Sequence, residues 1–444
     1  MTRLSLLVGA FAALLSPFPG TAVASPASNL KRTLNRAMSG AGSQSGAFVA
    51  DAKTGKTLYS RRGGTARILA SNTKLFTSAA VLARYGPGSS LATSLIGKGS
   101  LQPNGTWKGS VYLRGGGDPT FGSSSFARAN YGTSASVEVL AARLRKAGFK
   151  AVTGSVVGDE SAFDSRRGGP SSGYGTSTWV GPLSALGFNR GLANSNGSAF
   201  QRNPPLFAAD RLTSALEARG IAVHGQPRAG KSPGGSVVLT EARSPTVTSL
   251  LRLQNKPSDN YFAEMLSKGL PMASSSGGSL RRAGAKMPRT PTPDAPGAPR
   301  AKAPSRIGTT KQGARVAATY ARSIGVKVRL ADGSGLSRVD KAAPREVVRL
   351  LDALRSQRGF SAFYASLPIA GRDGTLAGRM RSGPARGRCR AKTGTLTAVS
   401  ALSGYCISRS GRTLAFSVLN NNANIYTARS IQDRVAQALA GYRG

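Results

Sequence analysis

The sequence predicts an α+β fold in which a domain of helices and antiparallel strands is interrupted by an inserted, mostly β domain. Three observations carry this. Apolar residues recur at helical spacing near both ends of the chain, short β-like runs between Gly, Ser and Asp turns fill the middle, and paired strands precede a closing helix. With 444 residues and 40% hydrophobic content, the chain is long enough to bury more than one core.

At the N-terminus Arg3 precedes an apolar run from Leu4 to Leu15, and Ala22-Val23-Ala24 gives a small-x-small cleavage pattern. This predicts a signal peptide over 1–24 and a mature chain from Ser25. Ser16, Pro17, Pro19 and Gly20 break the run before the roughly 18 apolar residues that a membrane span needs. No later run is long enough, so an exported protein is expected, in the periplasm or cell-wall space and without a transmembrane segment after signal removal.

Residues 25–88 read as the first part of the interrupted domain. Gly46 to Asp51 is a strand, Lys53-Thr54-Gly55-Lys56 turns it into Thr57 to Ser60, and a helix begins near Ser71 and stops at Gly86-Pro87-Gly88. Residues 89–242 carry the inserted domain, with strands such as Ser110 to Leu113 and Ser155 to Val157 and helices at Val137 to Ala147 and Ala208 to Ala218. Residues 243–444 resume the first domain. Thr246 to Lys268 is helical but interrupted around Lys256-Pro257, and 273–306 is a Gly/Ser then Pro/Arg/Lys tract expected to be a disordered insertion. Helices follow at Thr309 to Ser323 and Pro344 to Ser356, then two strands around Lys392 and a helix from about Ala428 to Ala440.

Lys and Arg outnumber Asp and Glu by 61 to 18, a net charge of +43. Such an excess attracts polyanions. No helix-turn-helix, zinc-finger or aromatic RNA-binding signature accompanies it, so no nucleic-acid partner is expected. Anionic cell-wall polymers are the favoured polyanion, beside the plainer reading of a basic surface with no specific partner.

Three short motifs carry chemistry: Ser71-Asn72-Thr73-Lys74, Ser258-Asp259-Asn260 and Lys392-Thr393-Gly394-Thr395. Each alone is weak; together and in this order they are specific. Residues i and i+3 share a helix face, so the Lys74 amine reaches the Ser71 hydroxyl. A serine needs an adjacent base to become a nucleophile, and a lysine in a dry, cation-rich pocket is neutral enough to serve. Ser258 then relays a proton to the leaving amine while Asn260 orients Lys74 and the substrate amide. On its strand Lys392 offers a positive charge to a substrate carboxylate, with the Thr393 and Thr395 hydroxyls beside it. Gly394 lets a peptide lie close to that edge, and the Ser71 and Thr395 N–H groups form an oxyanion hole.

Rival chemistries lack residues. His224 is the single histidine and sits near a strand end in the inserted region, so a Ser-His-Asp triad is not expected. One His and two Cys make no zinc-spaced cluster, and no metal is expected. Gly115-Gly116-Gly117-Asp118 has no following Gly-Lys-Ser/Thr and reads as a tight turn, not a phosphate loop.

With these residues in hand, the chain resembles the low-molecular-mass class C penicillin-binding proteins, the D-alanyl-D-alanine carboxypeptidase/endopeptidase family. The resemblance spans nearly the whole mature chain, including Gly115 to Thr120, Asp332-Gly333-Ser334-Gly335-Leu336-Ser337, Gly371 to Leu376 and Ser400 to Tyr405. It implies a transpeptidase-like serine peptidase domain, peptidoglycan stem peptides ending in D-Ala-D-Ala as substrate, and covalent inhibition by β-lactams without a cofactor. Two departures stand out: a short interval between Lys74 and Ser258, and the Pro- and Arg-rich tract after Asn260. A class A β-lactamase shares the three motifs but needs a deacylating Glu-x-x-Leu-Asn run, and none lies between Lys74 and Lys392. A non-catalytic wall-binding scaffold is the remaining alternative.

Cys389 and Cys406 flank the Lys392 motif on its two strands. If Thr395 faces Ser400 across the turn, antiparallel register also sets Cys389 opposite Cys406, where a disulfide closes in an oxidising compartment; the alternative is two buried thiols.

Overall fold

The computed structural model describes residues 25–132, 135–194, 196–272 and 306–444. The expected signal peptide over 1–24, and the expected 273–306 insertion apart from Arg306, lie outside the described residues.

Helix α1 (Pro26–Ala37) is capped by the Ser25 hydroxyl, which accepts from the Ser28 N–H. β1 (Ser45–Asp51) and β2 (Thr57–Arg61) form a hairpin whose turn is held by the Asp51 carboxylate, an acceptor for the Lys53 and Thr54 N–H groups. After β3 (Arg67–Ile68), a 3-10 turn at Ala70–Asn72 leads into α2 (Thr73–Tyr85). Ser71 thus sits in the turn just ahead of the helix. α2 is buried from Thr73 to Leu82 and ends at Gly86, whose φ of 75° suits glycine.

β4 (Ser90–Gly97), β5 (Ser100–Leu101), β6 (Thr106–Lys108) and β7 (Val111–Arg114) come next. α3 (Ser124–Tyr131), α4 (Val137–Lys146), β8 (Ala151–Asp159), α5 (Pro204–Glu217), β9 (Ala222–Ala229) and β10 (Val237–Thr246) follow. The seven strands make one mixed sheet ordered β10-β4-β7-β8-β6-β5, with β9 also paired to β8. Leu140 and Leu144 of α4 and Leu212 and Leu216 of α5 close a core over Leu95, Val111, Leu113 and Val156 of the sheet. α5 begins at Pro204, earlier than the expected Ala208, because Asn203 caps it and proline fits a first helical turn.

The chain then runs through α6 (Val247–Asn255), α7 (Asn260–Gly269), α8 (Thr310–Ser323), β11 (Lys341–Ala342), α9 (Pro344–Leu354) and α10 (Phe360–Ser366). It finishes with β12 (Cys389–Leu396), β13 (Val399–Ile407), β14 (Thr413–Asn421) and α11 (Ile425–Gly441). These last strands meet the first two in an antiparallel sheet ordered β12-β13-β14-β1-β2. One face carries Phe48, Ala401, Tyr405 and Leu419 against Leu75, Phe76, Phe262 and Leu351 of the helices. The other carries Val49, Leu402 and Phe416 against Leu34 of α1 and Ile431 and Val435 of α11. Two covered faces explain why β13 and β14 read as nearly continuous apolar runs. The fold class is α+β, with an extra β sheet between the two halves of the first. The β12–β13 register pairs Thr395 with Ser400 and Cys389 with Cys406, and the cysteines are disulfide-bonded.

Candidate active site

The three motifs converge from a turn, an interhelical loop and an edge strand. Lys74, fully buried in the first turn of α2, donates to Ser71 Oγ at 3.0 Å, to Asn260 Oδ1 at 2.7 Å and to the Ser334 carbonyl at 2.7 Å. All three ammonium hydrogens are thereby directed, one of them at the Ser71 hydroxyl. Burial pushes Lys74 down to about 8, against the opposing pull of Asp332, Glu264, Asp259 and Asp340.

The turn bearing Ser71 is set from outside α2. Ala70 takes a φ of 46°, and a Cβ on Gly335 would lie 1.9 Å from the Ala70 carbonyl oxygen. Gly333 is equally constrained, since its Cβ would meet Ser267 Cβ at 2.4 Å. The loop between them is pinned by Asp332, which accepts from Gly335 and Ser337 N–H groups at 2.7 Å each, and by Glu264, which accepts from Ser334 N–H at 2.8 Å. The stretch Asp332 to Ser337 therefore acts by presenting the Ser334 carbonyl to Lys74.

Ser258 lies between α6 and α7 with a φ of 65°, so its side chain is aimed by a left-handed backbone. Its hydroxyl accepts from Lys392 Nζ at 2.7 Å, and Lys392 also donates to the Thr393 carbonyl at 2.9 Å. Burial, with Lys74 nearby, holds the Lys392 ammonium well below the ordinary lysine range. Asn72 donates to the Lys392 carbonyl at 3.0 Å and ties the Ser71 turn to β12. Gly394 faces that turn: a Cβ there would lie 3.0 Å from the Ser71 nitrogen and 3.0 Å from the Leu69 carbonyl oxygen. A side chain here would press on the Ser71 turn, and glycine lets the strand lie this close to the Ser71 N–H without a shift.

All eight residues singled out from sequence, Ser71, Lys74, Ser258, Asn260, Lys392, Thr393, Gly394 and Thr395, are brought to this one region. Several neighbours carried no sequence assignment. Thr375 shares a 2.7 Å hydroxyl contact with Thr393, and its loop is anchored by Asp373, which accepts from Lys256 Nζ at 2.6 Å. Arg429 of α11 donates to Thr395 Oγ1 at 3.4 Å. Glu264 lies behind Lys74, pushed up to about 7 by burial and by Asp332. Helical spacing contained the Glu264 signal, because it sits one turn after Asn260 on α7. His224 is exposed on β9 of the other sheet.

The sequence matches the D-Ala-D-Ala carboxypeptidase 3 (S13) family over residues 27–198, 190–289 and 301–442. The chain belongs to this family. A D-alanyl-D-alanine carboxypeptidase of Actinomadura sp. is 29% identical, over 91% of this chain and 82% of that protein. The carboxypeptidase DacB of Mycolicibacterium smegmatis is 27% identical, over 88% of this chain and 79% of that protein. The fold is that of penicillin binding protein 4 of Haemophilus influenzae, with a TM-score of 0.71 at 20% identity, covering 91% of this chain and 98% of that one. S13 membership makes the protein a serine-type D-Ala-D-Ala carboxypeptidase, a hydrolase, and its fold is that of a low-molecular-mass class C penicillin-binding protein. No helix among the described residues is long and apolar enough to cross a membrane.

Proposed function

We propose that Ser71 is the nucleophile and that the reaction runs through an ester on its Oγ. The observation that carries this is Lys74 Nζ, 3.0 Å from Ser71 Oγ and pushed down to about 8 by burial, which makes a neutral amine accessible as base. Lys74 takes the hydroxyl proton as Oγ attacks the carbonyl of the penultimate D-Ala. The Ser71 and Thr395 N–H groups stabilise the oxyanion. Ser258 relays the proton taken up by Lys74 to the leaving amine, free D-alanine departs, and water then hydrolyses the ester and returns a proton to Ser71 Oγ.

Lys392, with Thr393 and Thr395 beside it, receives the terminal carboxylate, and arrival of that anion restores the positive charge which burial opposes. Asn260 holds Lys74 on one side and orients the substrate amide on the other. The natural substrate is the peptidoglycan stem peptide, met after export directed by residues 1–24, and β-lactams acylate the same serine because their carbonyl and carboxylate mimic the peptide's. Residues 25–88 and 243–444 form the catalytic domain and 89–242 an inserted one. The net charge of +43 favours retention near anionic wall polymers. Release of D-alanine from a D-Ala-D-Ala peptide by the wild type, and none by Ser71→Ala, tests the reading.

A further inference from the structure

Asp259, the middle residue of the second motif, meets Arg190. Arg190 Nη1 donates to Asp259 Oδ2 at 2.5 Å and Nη2 to Oδ1 at 3.3 Å, a two-pronged ion pair that is mostly buried. The same carboxylate caps α7 by accepting from the Phe262 N–H at 3.0 Å. The guanidinium lies over the Tyr261 ring, 5.0 Å from its centroid, and beside Tyr131, whose ring packs on Phe262 at 5.3 Å.

Arg190 belongs to neither half of the five-stranded-sheet domain. It sits in a 3-10 turn, Asn189–Gly191, between β8 and α5, where Asn189 and Arg190 both take positive φ, 48° and 60°. Such backbone is costly for residues with a side chain and persists only where the surroundings impose it. They do: Asn189 donates from its backbone to the Phe121 carbonyl at 3.0 Å, and its side chain accepts from the Ser123 N–H at 2.9 Å. The preceding segment adds a second tie, for the Trp179 carbonyl accepts from Asn260 Nδ2 at 3.2 Å and so turns Oδ1 towards Lys74.

We propose that Arg190 is a positioning residue for the reaction, clamping Asp259 so that Ser258 and Asn260 on either side are held against Lys392 and Lys74. The clamp also has an electrostatic role. Lys74 is faced by Asp332, Glu264, Asp259 and Asp340, with Lys392 as the opposing cation. Arg190 offsets one of those carboxylates. Without it, Asp259 stands as an unopposed anion, Lys74 holds its proton to higher pH, and less neutral amine is present to act as base. This rests on the reading in which neutral Lys74 activates Ser71.

The test measures penicillin acylation of Ser71 and D-alanine release across pH for the wild type and for Arg190→Gln, Arg190→Lys, Asp259→Asn and the Arg190→Gln/Asp259→Asn double variant, with thermal melting of each. Arg190→Gln is expected to lower kcat by roughly 10²-fold with KM little changed and to move the rising limb of the pH profile upward. Arg190→Lys restores the limb and part of the rate. The double variant brings the limb back below that of Arg190→Gln while the rate stays low. If Arg190→Gln fails to fold, Asp259→Asn decides, since asparagine still caps α7; a slower reaction with the limb moved downward supports the clamp. A folded Arg190→Gln or Asp259→Asn with wild-type rate and profile overturns it. So do equal losses in the glutamine and lysine variants with no change of limb. If wild-type Ser71 is not acylated, the underlying reading has failed; if it is and the variants match it, only the clamp has.

Discussion

Lys392 Nζ lies 2.7 Å from Ser258 Oγ, so a hydrogen bond across the site joins the edge strand to the loop between α6 and α7. Lys392 also donates to the Thr393 carbonyl, which leaves one ammonium hydrogen for the substrate carboxylate on the proposed reading while the Ser258 contact stays in place.

Acylation by penicillin should rise with pH as Lys74 loses its proton around pH 8, because only the neutral amine accepts the Ser71 proton. Glu264→Gln removes a carboxylate that favours the charged lysine, so the limb should move to lower pH while the Gly333 and Ser334 N–H groups keep an acceptor. Lys74→Ala should slow acylation by roughly 10²–10⁴-fold and flatten this limb. Stopped-flow acylation rates over a pH series check all three.

Gly394→Val places a branched side chain where a Cβ would already be 3.0 Å from the Ser71 nitrogen. The strand must move off the turn. Acylation should fall by roughly 10²-fold with little loss of melting temperature, since the strand's apolar contacts lie elsewhere. Rate and melting measurements on the same sample separate the two effects.

Much of this site was legible because each motif is local. Ser71 and Lys74 are three residues apart, Ser258 and Asn260 two, and Lys392 to Thr395 is one strand segment, so chemistry and spacing could be read together. The Asp332 to Ser337 and Gly371 to Leu376 stretches were visible as patterns without roles, because those roles are contacts to residues distant in sequence, such as Ser334 to Lys74. β14 carried no assignment at all. Its run from Leu414 to Leu419 is buried on both faces and lacks the alternation that marks a half-exposed strand, and its partner β1 lies at the other end of the chain. Arg190 left no local signal either, since its pairing with Asp259 exists only in the folded chain.

The disulfide is expected to be quantitative in protein isolated without reductant. Thiol titration after denaturation should find none. Replacing both Cys389 and Cys406 by alanine should lower stability by about 3 kcal/mol, because the crosslink closes a short loop in the unfolded chain. Denaturant melts of the two proteins measure the difference.

Asp118 gives a pH signature of the second sheet. Burial pushes its carboxyl up to about 7, and Oδ1 accepts from both the N–H and the hydroxyl of Thr120. A carboxyl raised in the folded state stabilises the fold fully below its unfolded value, and that contribution is lost as pH rises through about 7. Asp118→Asn keeps the acceptor and cannot ionise, so its melting temperature should change less between acid and neutral pH than the wild type's. Melting curves over that interval, with equal slopes for both proteins as the contrary result, decide it.

The central claim is an ester on Ser71, and intact-protein mass spectrometry after incubation with benzylpenicillin tests it most directly. The account predicts one adduct per chain, mapped by peptide analysis to Ser71, persisting after excess drug is removed and absent from Ser71→Ala. An unlabelled Ser71 in folded protein would contradict it, and rapid destruction of the drug without a lasting adduct would contradict the peptidase reading in favour of a β-lactamase.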